Sequence, residues 1–390
     1  MQYLQDPLPF PVLRSSTTIG RITLKNRLGF GPVNPGVSDY SGRLDEAMSR
    51  LYGSLADGEL ALSYLGGVAV NNRGRSNRTS LVMTTAQAQA LLARLISVGE
   101  SRRMIIPVQL MHSGRQAGSR EIGAVPLAAS PLPCPYYKEV PTAATKCDIR
   151  EVVQDFARSA RHAASAGCEM IEIHAAHGYF VSGFLSRNTN YRSDQYGGTL
   201  RNRFRVLGEI VQAIRSNVDV TLGARVNVFE QGSGGLQVEE LVDGLGSIGP
   251  ELDFVSITGG MYSVDDDMII PRRLKGPGIW RRQSRYVRSQ LNIPTLIAGN
   301  IETAAMADEI VAVGDADITL MVRSLLADPM LYAKSQQHNA GSVQRCTELY
   351  LCKYHSRGAS HVYCPHSDLM RNEFRPTVNP VLARRKSKDR

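Results

Sequence analysis

Six short apolar runs constrain this chain more than any other feature. Residues 105–110 (IIPVQL), 170–176 (MIEIHAA), 220–226 (VTLGARV), 252–258 (LDFVSIT), 293–299 (IPTLIAG) and 316–322 (ADITLMV) are rich in Val, Ile and Leu and too short for buried helices. Such runs suit strands covered on both faces, as in parallel sheets. The stretches between them have helical period. Residues 144–167 carry apolar side chains at helical spacing and stop at Gly167, and residues 201–215 place Phe204, Leu207, Ile210, Val211 and Ile214 on one face. Strand–helix alternation implies right-handed βαβ units, which close either as an open doubly wound sheet or as a barrel. Two further strand candidates, at 27–33 and 60–66, bring the count to roughly eight. No GxGxxG opens a helix after the first strand, which weakens the doubly wound reading. The expected architecture is therefore an α/β (β/α)8 TIM barrel. The βα pattern fades after Gln336, so we take residues 1–340 as the barrel and 341–390 as a Cys/His-containing extension with a basic tail.

Length and composition agree with this. A chain of 390 residues that is 43% apolar and 21% charged has ample core for a large single barrel. The net charge of +9 raises the question of polyanionic partners. The basic residues concentrate in the tail, from Arg384 to Arg390, and between Arg272 and Arg288, without the aromatic platform or groove-reading helix that nucleic acid needs. No apolar run is long enough to span a membrane and the N-terminus lacks a signal-peptide pattern. Six scattered cysteines do not form a disulfide framework, so a cytoplasmic location is expected.

The chemistry concentrates in IEIHAAHGY. Ile171 and Ile173 alternate as a buried strand should, His174 falls at the strand's end, and His177 and Tyr179 follow in the loop. Barrels gather reactive groups at that end of their strands. Two neutral imidazoles can donate to one oxygen and a phenol can deliver a proton, which suits polarising a carbonyl and protonating the carbon beside it. From spacing alone, loop-capping histidines and a zinc pair remain alternatives.

The surrounding residues, HAAHGYFVSGFLSRNTNYRSDQYGGTLRNR, resemble the central signature of the old yellow enzyme family of FMN-dependent oxidoreductases. LKNRLGFGPV, PVQLMHSGRQA and IPTLIAGNIETAAMADEIVAVGDADITLMVRSLLADP extend the resemblance over roughly residues 15–335. It implies a flavin mononucleotide (FMN) site with Pro32, Val33, Asn34 and Gly67 against the flavin, and Gln109 and Arg225 at its pyrimidine edge. Gly299, Asn300, Val322 and Arg323 would hold the phosphate. It also implies NAD(P)H as electron donor, and His174, His177 and Tyr179 as the catalytic group acting on a small-molecule substrate.

The nearest branch in pattern is that of 2,4-dienoyl-CoA reductase and trimethylamine dehydrogenase, and this chain departs from it. Asn34 stands where relatives commonly have Thr or Cys, and Tyr262 and Ser263 stand where the branch places a functional His or Asp. The branch carries a four-cysteine iron–sulfur cluster after the barrel; here Leu349 and Pro376 replace two of the cysteines. Cys346, Cys352 and Cys364 remain as candidate metal ligands, with His355, His361 and His366 interspersed. A cubane normally needs four ligands, so a cluster, another metal and no metal all stay open. The branch's additional nucleotide-binding domain has no counterpart before Arg390, so reduced nicotinamide would reach the FMN directly or a separate electron-transfer protein would serve it. The expected activity is ene-reduction: hydride passes from reduced FMN to the activated C=C of an α,β-unsaturated carbonyl compound. The alternative is an FMN-dependent dehydrogenase of amines or biosynthetic intermediates that passes electrons to a partner protein; Tyr64 and Tyr262 are candidates to line its pocket, although packing is the commoner role for such tyrosines. An oligomer is compatible with either.

Overall fold

The computed structural model describes residues 9–34, 43–248, 251–262, 276–337, 340–348, 352 and 364–373. Ser263, Leu349, His355, His361, Pro376 and the basic tail lie outside the described residues. The centre is a parallel barrel of eight strands: β1 (Leu28–Phe30), β2 (Leu62–Ser63, resuming as Leu65–Ala69), β3 (Val108–Met111), β4 (Met170–Ala175), β5 (Thr221–Asn227), β6 (Phe254–Thr258), β7 (Thr295–Ile297) and β8 (Ile318–Met321). Pairing follows chain order from β3 to β8, and β8 then pairs with β1. The first piece of β2 pairs with β1 and the second with β3. Tyr64 interrupts β2, yet its N–H donates to Phe30 O at 3.0 Å and that of Leu65 to Pro107 O at 2.8 Å. The ladder therefore continues across the break and the ring closes.

Helices surround the ring: α1 (Arg43–Asp57), α2 (Ala86–Glu100), α3 (Lys146–Ser165), α4 (Leu200–Arg215), α5 (Val238–Gly246), α6 (Arg281–Leu291), α7 (Ala304–Ala312) and α8 (Leu331–Gln336). Thr145 starts α3 with a reciprocal capping box to Asp148, satisfying N–H groups that the first turn leaves open. Ile149, Val152, Phe156, Ala160 and Ala163 then form its buried stripe, and Gly167 turns the chain away at φ +94°. On α4 the expected face (Phe204, Leu207, Ile210, Val211, Ile214) is buried against the sheet. Each such side chain contributes about 2 kcal/mol of burial. Arg281, Arg285 and Arg288 of the basic cluster are ion-paired with Asp315 or Asp317 after α7.

Strand alternation sorts the interior. Odd positions of β4, Ile171 and Ile173, face the helices, while Met170, Glu172 and His174 face the barrel axis. Low in the barrel, Met170, Phe254, Leu296, Ile318 and Leu62 pack together with Ile19, Ile22 and Leu24. The latter three come from an antiparallel hairpin, Thr17–Ile19 with Ile22–Leu24, which plugs the N-terminal mouth. Apolar closure below leaves the polar residues to collect above it, where the strands end. The extension packs back on this body: Cys364 and Met370 are buried in the main core, and Gln344 N–H donates to Asp328 at 2.9 Å.

Candidate active site

A cavity of about 240 Å³ opens at the C-terminal ends of the strands. Pro32, Val33, Asn34, Gly67, Gln109, Arg225, Gly299, Asn300, Val322 and Arg323 all line it, together with His174, His177 and Tyr179. The structure thus brings together, from seven separate segments, every residue that the resemblance tied to the flavin or its substrate. Gln109 and Arg225 each lie two residues before the end of their strands, β3 and β5. Tyr64 does not line the cavity; it is fully buried below it, while Tyr262 lies at the rim.

On one wall the three expected catalytic rings converge. His174 and Tyr179 have ring centroids 4.6 Å apart, and His174 and His177 5.2 Å apart. His174 Nδ1 accepts from Ala176 N–H at 3.3 Å. Burial, reinforced by His177 and Arg225, holds the pKa of His174 well below the ordinary histidine value. The ring is therefore neutral, with its proton on Nε2 as the donor it can offer. His177 is fixed by its neighbours in a left-handed backbone conformation, φ +61°. Its N–H donates to Asn227 Oδ1 at 3.1 Å, its carbonyl accepts from Gln116 at 3.1 Å, and Nε2 lies 3.0 Å from Thr258 Oγ1. Tyr179 precedes the short helix Phe180–Leu185, and its hydroxyl is 3.0 Å from that of Tyr262.

Deeper in the barrel lies a buried polar set that the sequence reading missed in part. Glu172 accepts from Gln109 Nε2 at 2.6 Å and from the Ser256 hydroxyl. Burial pushes its pKa up, with Arg225 opposing. Arg225 is 7% exposed, and its Nη1 is buried without a hydrogen-bond partner. Burial lowers its pKa and the Glu172 carboxylate offsets that. Glu172 was legible in principle: it shares the inward phase of His174, where an apolar side chain is the rule. Thr258 carried no such signal.

Gly67 has φ +65°, and a Cβ there would stand 3.3 Å from Asn34 Cβ and from Met111 Sδ. Asn34 is itself tied through Nδ2 to Ser76 and Ser80, at 3.0 and 3.1 Å. At the far end Gly299 takes φ +145°, and a Cβ would run into the Trp280 ring at 2.6 Å. Arg323 donates to Asn300 Oδ1 at 2.8 Å and to Glu348 Oε1 at 3.0 Å. Nothing in the sequence marked Glu348.

The cysteines do not make a comparable set. Cys346 and Cys352 line the cavity, whereas Cys364 is buried in the core, where desolvation pushes its thiol pKa up. Among the described residues no group of three or more His, Cys, Asp or Glu side chains is placed to hold a metal ion. Among the described residues the three thiols do not make up a four-ligand set. No helix among the described residues is long and apolar enough to cross a membrane.

Residues 15–341 match the model of the NADH:flavin oxidoreductase / NADH oxidase family. An NADPH dehydrogenase of Geobacillus sp. (strain WCH70) is 31% identical over 321 residues, covering 82% of this chain and 92% of that protein. An NADH oxidase of Thermoanaerobacter brockii is 29% identical over 385 residues, 96% of this chain, which spans 57% of that longer protein. Among solved structures, a 2-naphthoyl-CoA reductase in complex with 2-naphthoyl-CoA superposes with a TM-score of 0.85 at 23% identity, over 94% of this chain and 58% of its own. With the family model matching most of the chain and the barrel closing around one cavity, the chain belongs to the NADH:flavin oxidoreductase / NADH oxidase family, that of old yellow enzyme, and is an FMN-dependent NAD(P)H oxidoreductase.

Proposed function

We propose that this enzyme is an ene-reductase, reducing the activated C=C of an α,β-unsaturated carbonyl compound with NAD(P)H as donor. The observation that carries this reading is the convergence of two fixed imidazoles and a phenol in the cavity that the residues suited to a flavin also line.

The fit to FMN rests on the orphaned Nη1 of Arg225, a buried donor beside Gln109 and Glu172 that calls for an acceptor. Arg225 would meet negative charge at the pyrimidine end of the isoalloxazine. Gln109, with one N–H held by Glu172, keeps a second N–H and its carbonyl for the ring's edge. Pro32, Val33, Asn34 and Gly67 would border the ring, the missing side chain at Gly67 leaving room for close approach. Gly299, Asn300, Val322 and Arg323 would hold the phosphate through backbone N–H groups and the guanidinium. FMN supplies a two-electron carrier that takes hydride from a nicotinamide and gives it to carbon.

The remaining work falls to the imidazoles and the phenol. His174 Nε2–H and His177 hold the substrate's carbonyl oxygen, so that charge developing there meets donors already fixed in place that need no reorganisation. Thr258 keeps the His177 ring in place for this. Tyr179 gives its phenolic proton to the α-carbon, and Tyr262 stands within hydrogen-bond reach to stabilise the oxygen left behind.

Spectroscopy of the purified protein tests this reading. A yellow chromophore, bleached anaerobically by NADPH or NADH and restored by one equivalent of 2-cyclohexenone with formation of cyclohexanone, is the expected result. Protein that cannot be loaded with FMN, or a reduced flavin that enones reoxidise no faster than a substrate-free anaerobic control, would sink it.

A further inference from the structure

Glu348, from the extension, occupies the phosphate end of the cavity. It and Arg323 both line that end, with Nη1 and Oε1 3.0 Å apart and side chains 15% and 20% exposed. Glu348 adopts φ +58°, a backbone region that L-residues avoid, and its N–H rests on Cys346 Sγ at 3.4 Å. A strained, largely buried carboxylate is thus held on the guanidinium expected to face the phosphate, and the other Nη of that guanidinium is on Asn300.

We propose that Glu348 sets the enzyme's preference among flavins at their phosphate end. Its carboxylate competes with the phosphate dianion for Arg323, so FMN is held less tightly than the guanidinium would otherwise allow, and FMN is favoured over unphosphorylated riboflavin by a smaller margin. The inference rests on the proposed placement of the phosphate at Arg323. The physical ground is direct: two anions share one cation in a partly desolvated site, where like-charge repulsion is poorly screened. Glu348→Gln is the discriminating substitution, since its amide oxygen still accepts from Arg323 while the charge is gone. A carboxylate whose role was only to orient Arg323 would be replaced without gain.

The test is titration of flavin-free protein with FMN and with riboflavin, followed by flavin fluorescence, for the native chain, Glu348→Gln and Arg323→Gln. FMN binding on the order of tenfold tighter in Glu348→Gln, with riboflavin unchanged, is the expected outcome. Unchanged or weaker FMN binding in that variant, or an equal change for both flavins, overturns the proposal. If Arg323→Gln binds FMN as well as the native chain does, the phosphate placement itself fails; if Arg323→Gln loses FMN affinity while Glu348→Gln gains none, only the role of Glu348 fails.

Discussion

The phenolic oxygens of Tyr179 and Tyr262 lie 3.0 Å apart, joining the loop after β4 to the loop after β6 at the rim of the cavity. Their rings meet edge to face at 5.8 Å, and both are partly exposed. Tyr179→Phe removes the proton donor and should slow reoxidation of the reduced enzyme by an enone about 10²-fold or more, with reduction by NADPH little changed. Tyr262→Phe keeps the donor but removes its partner, so a smaller loss, about three- to tenfold, is expected. Anaerobic stopped-flow of the two half-reactions separates the effects, and equal losses in both half-reactions would point to a packing role instead.

His174 is neutral because burial and two neighbouring cationic or ionisable groups disfavour its charged form. His174 should therefore contribute no titration to substrate binding between about pH 6 and 8, the range of an ordinary histidine. Dissociation constants for a non-reducible carbonyl ligand, measured across that range with a His177→Asn variant, check this; a tenfold fall in affinity centred near pH 6.5 would contradict it.

His112 offers a stability test. It is 1% exposed, packs on Phe180 and has its pKa depressed to about 3 by burial. Since the unfolded chain binds a proton near pH 6.5 and the folded chain does not, the unfolded state gains protons first as pH falls. Stability should decline from about pH 6.5 toward pH 3 by about 1.4 kcal/mol per pH unit from this residue. Urea denaturation at pH 4 to 7 of the native chain and of His112→Asn should show a shallower decline in the variant.

Glu172 holds Gln109 and compensates Arg225 at a buried position beneath the cavity. Glu172→Leu leaves a buried guanidinium without its counter-charge and should cost about 3–5 kcal/mol in urea unfolding of the flavin-free protein. It should also weaken FMN binding, since the Gln109 amide loses its anchor. A variant as stable as the native chain would show that Arg225 finds another acceptor.

Gly67→Ala would place a Cβ at φ +65° and within 3.3 Å of two neighbours. The backbone strain should cost about 1–2 kcal/mol of stability. FMN affinity should fall as well, because the added methyl stands where the ring is expected. Fluorescence titration with FMN reads this directly.

The amino-acid sequence by itself determined the periodicities, and through them the architecture. Short apolar strands alternating with capped amphipathic helices have few ways to close, and the phase of Ile171 and Ile173 already turned His174 toward the axis. Local patterning acts over a few residues, so these features needed no partner to be legible. What brings Gln109, Glu172 and Ser256 into one hydrogen-bonded set is the register between β3, β4 and β6, established only when the ring closes at the broken strand β2. The pairing of Tyr179 with Tyr262, of His177 with Thr258 and of Arg323 with Glu348 likewise joins residues 83, 81 and 25 positions apart. Contacts between loops of different strands leave no period in the chain, and burial decides which side chains are charged. Tertiary structure therefore decided the partners and protonation states, on a frame that sequence periodicity had already specified.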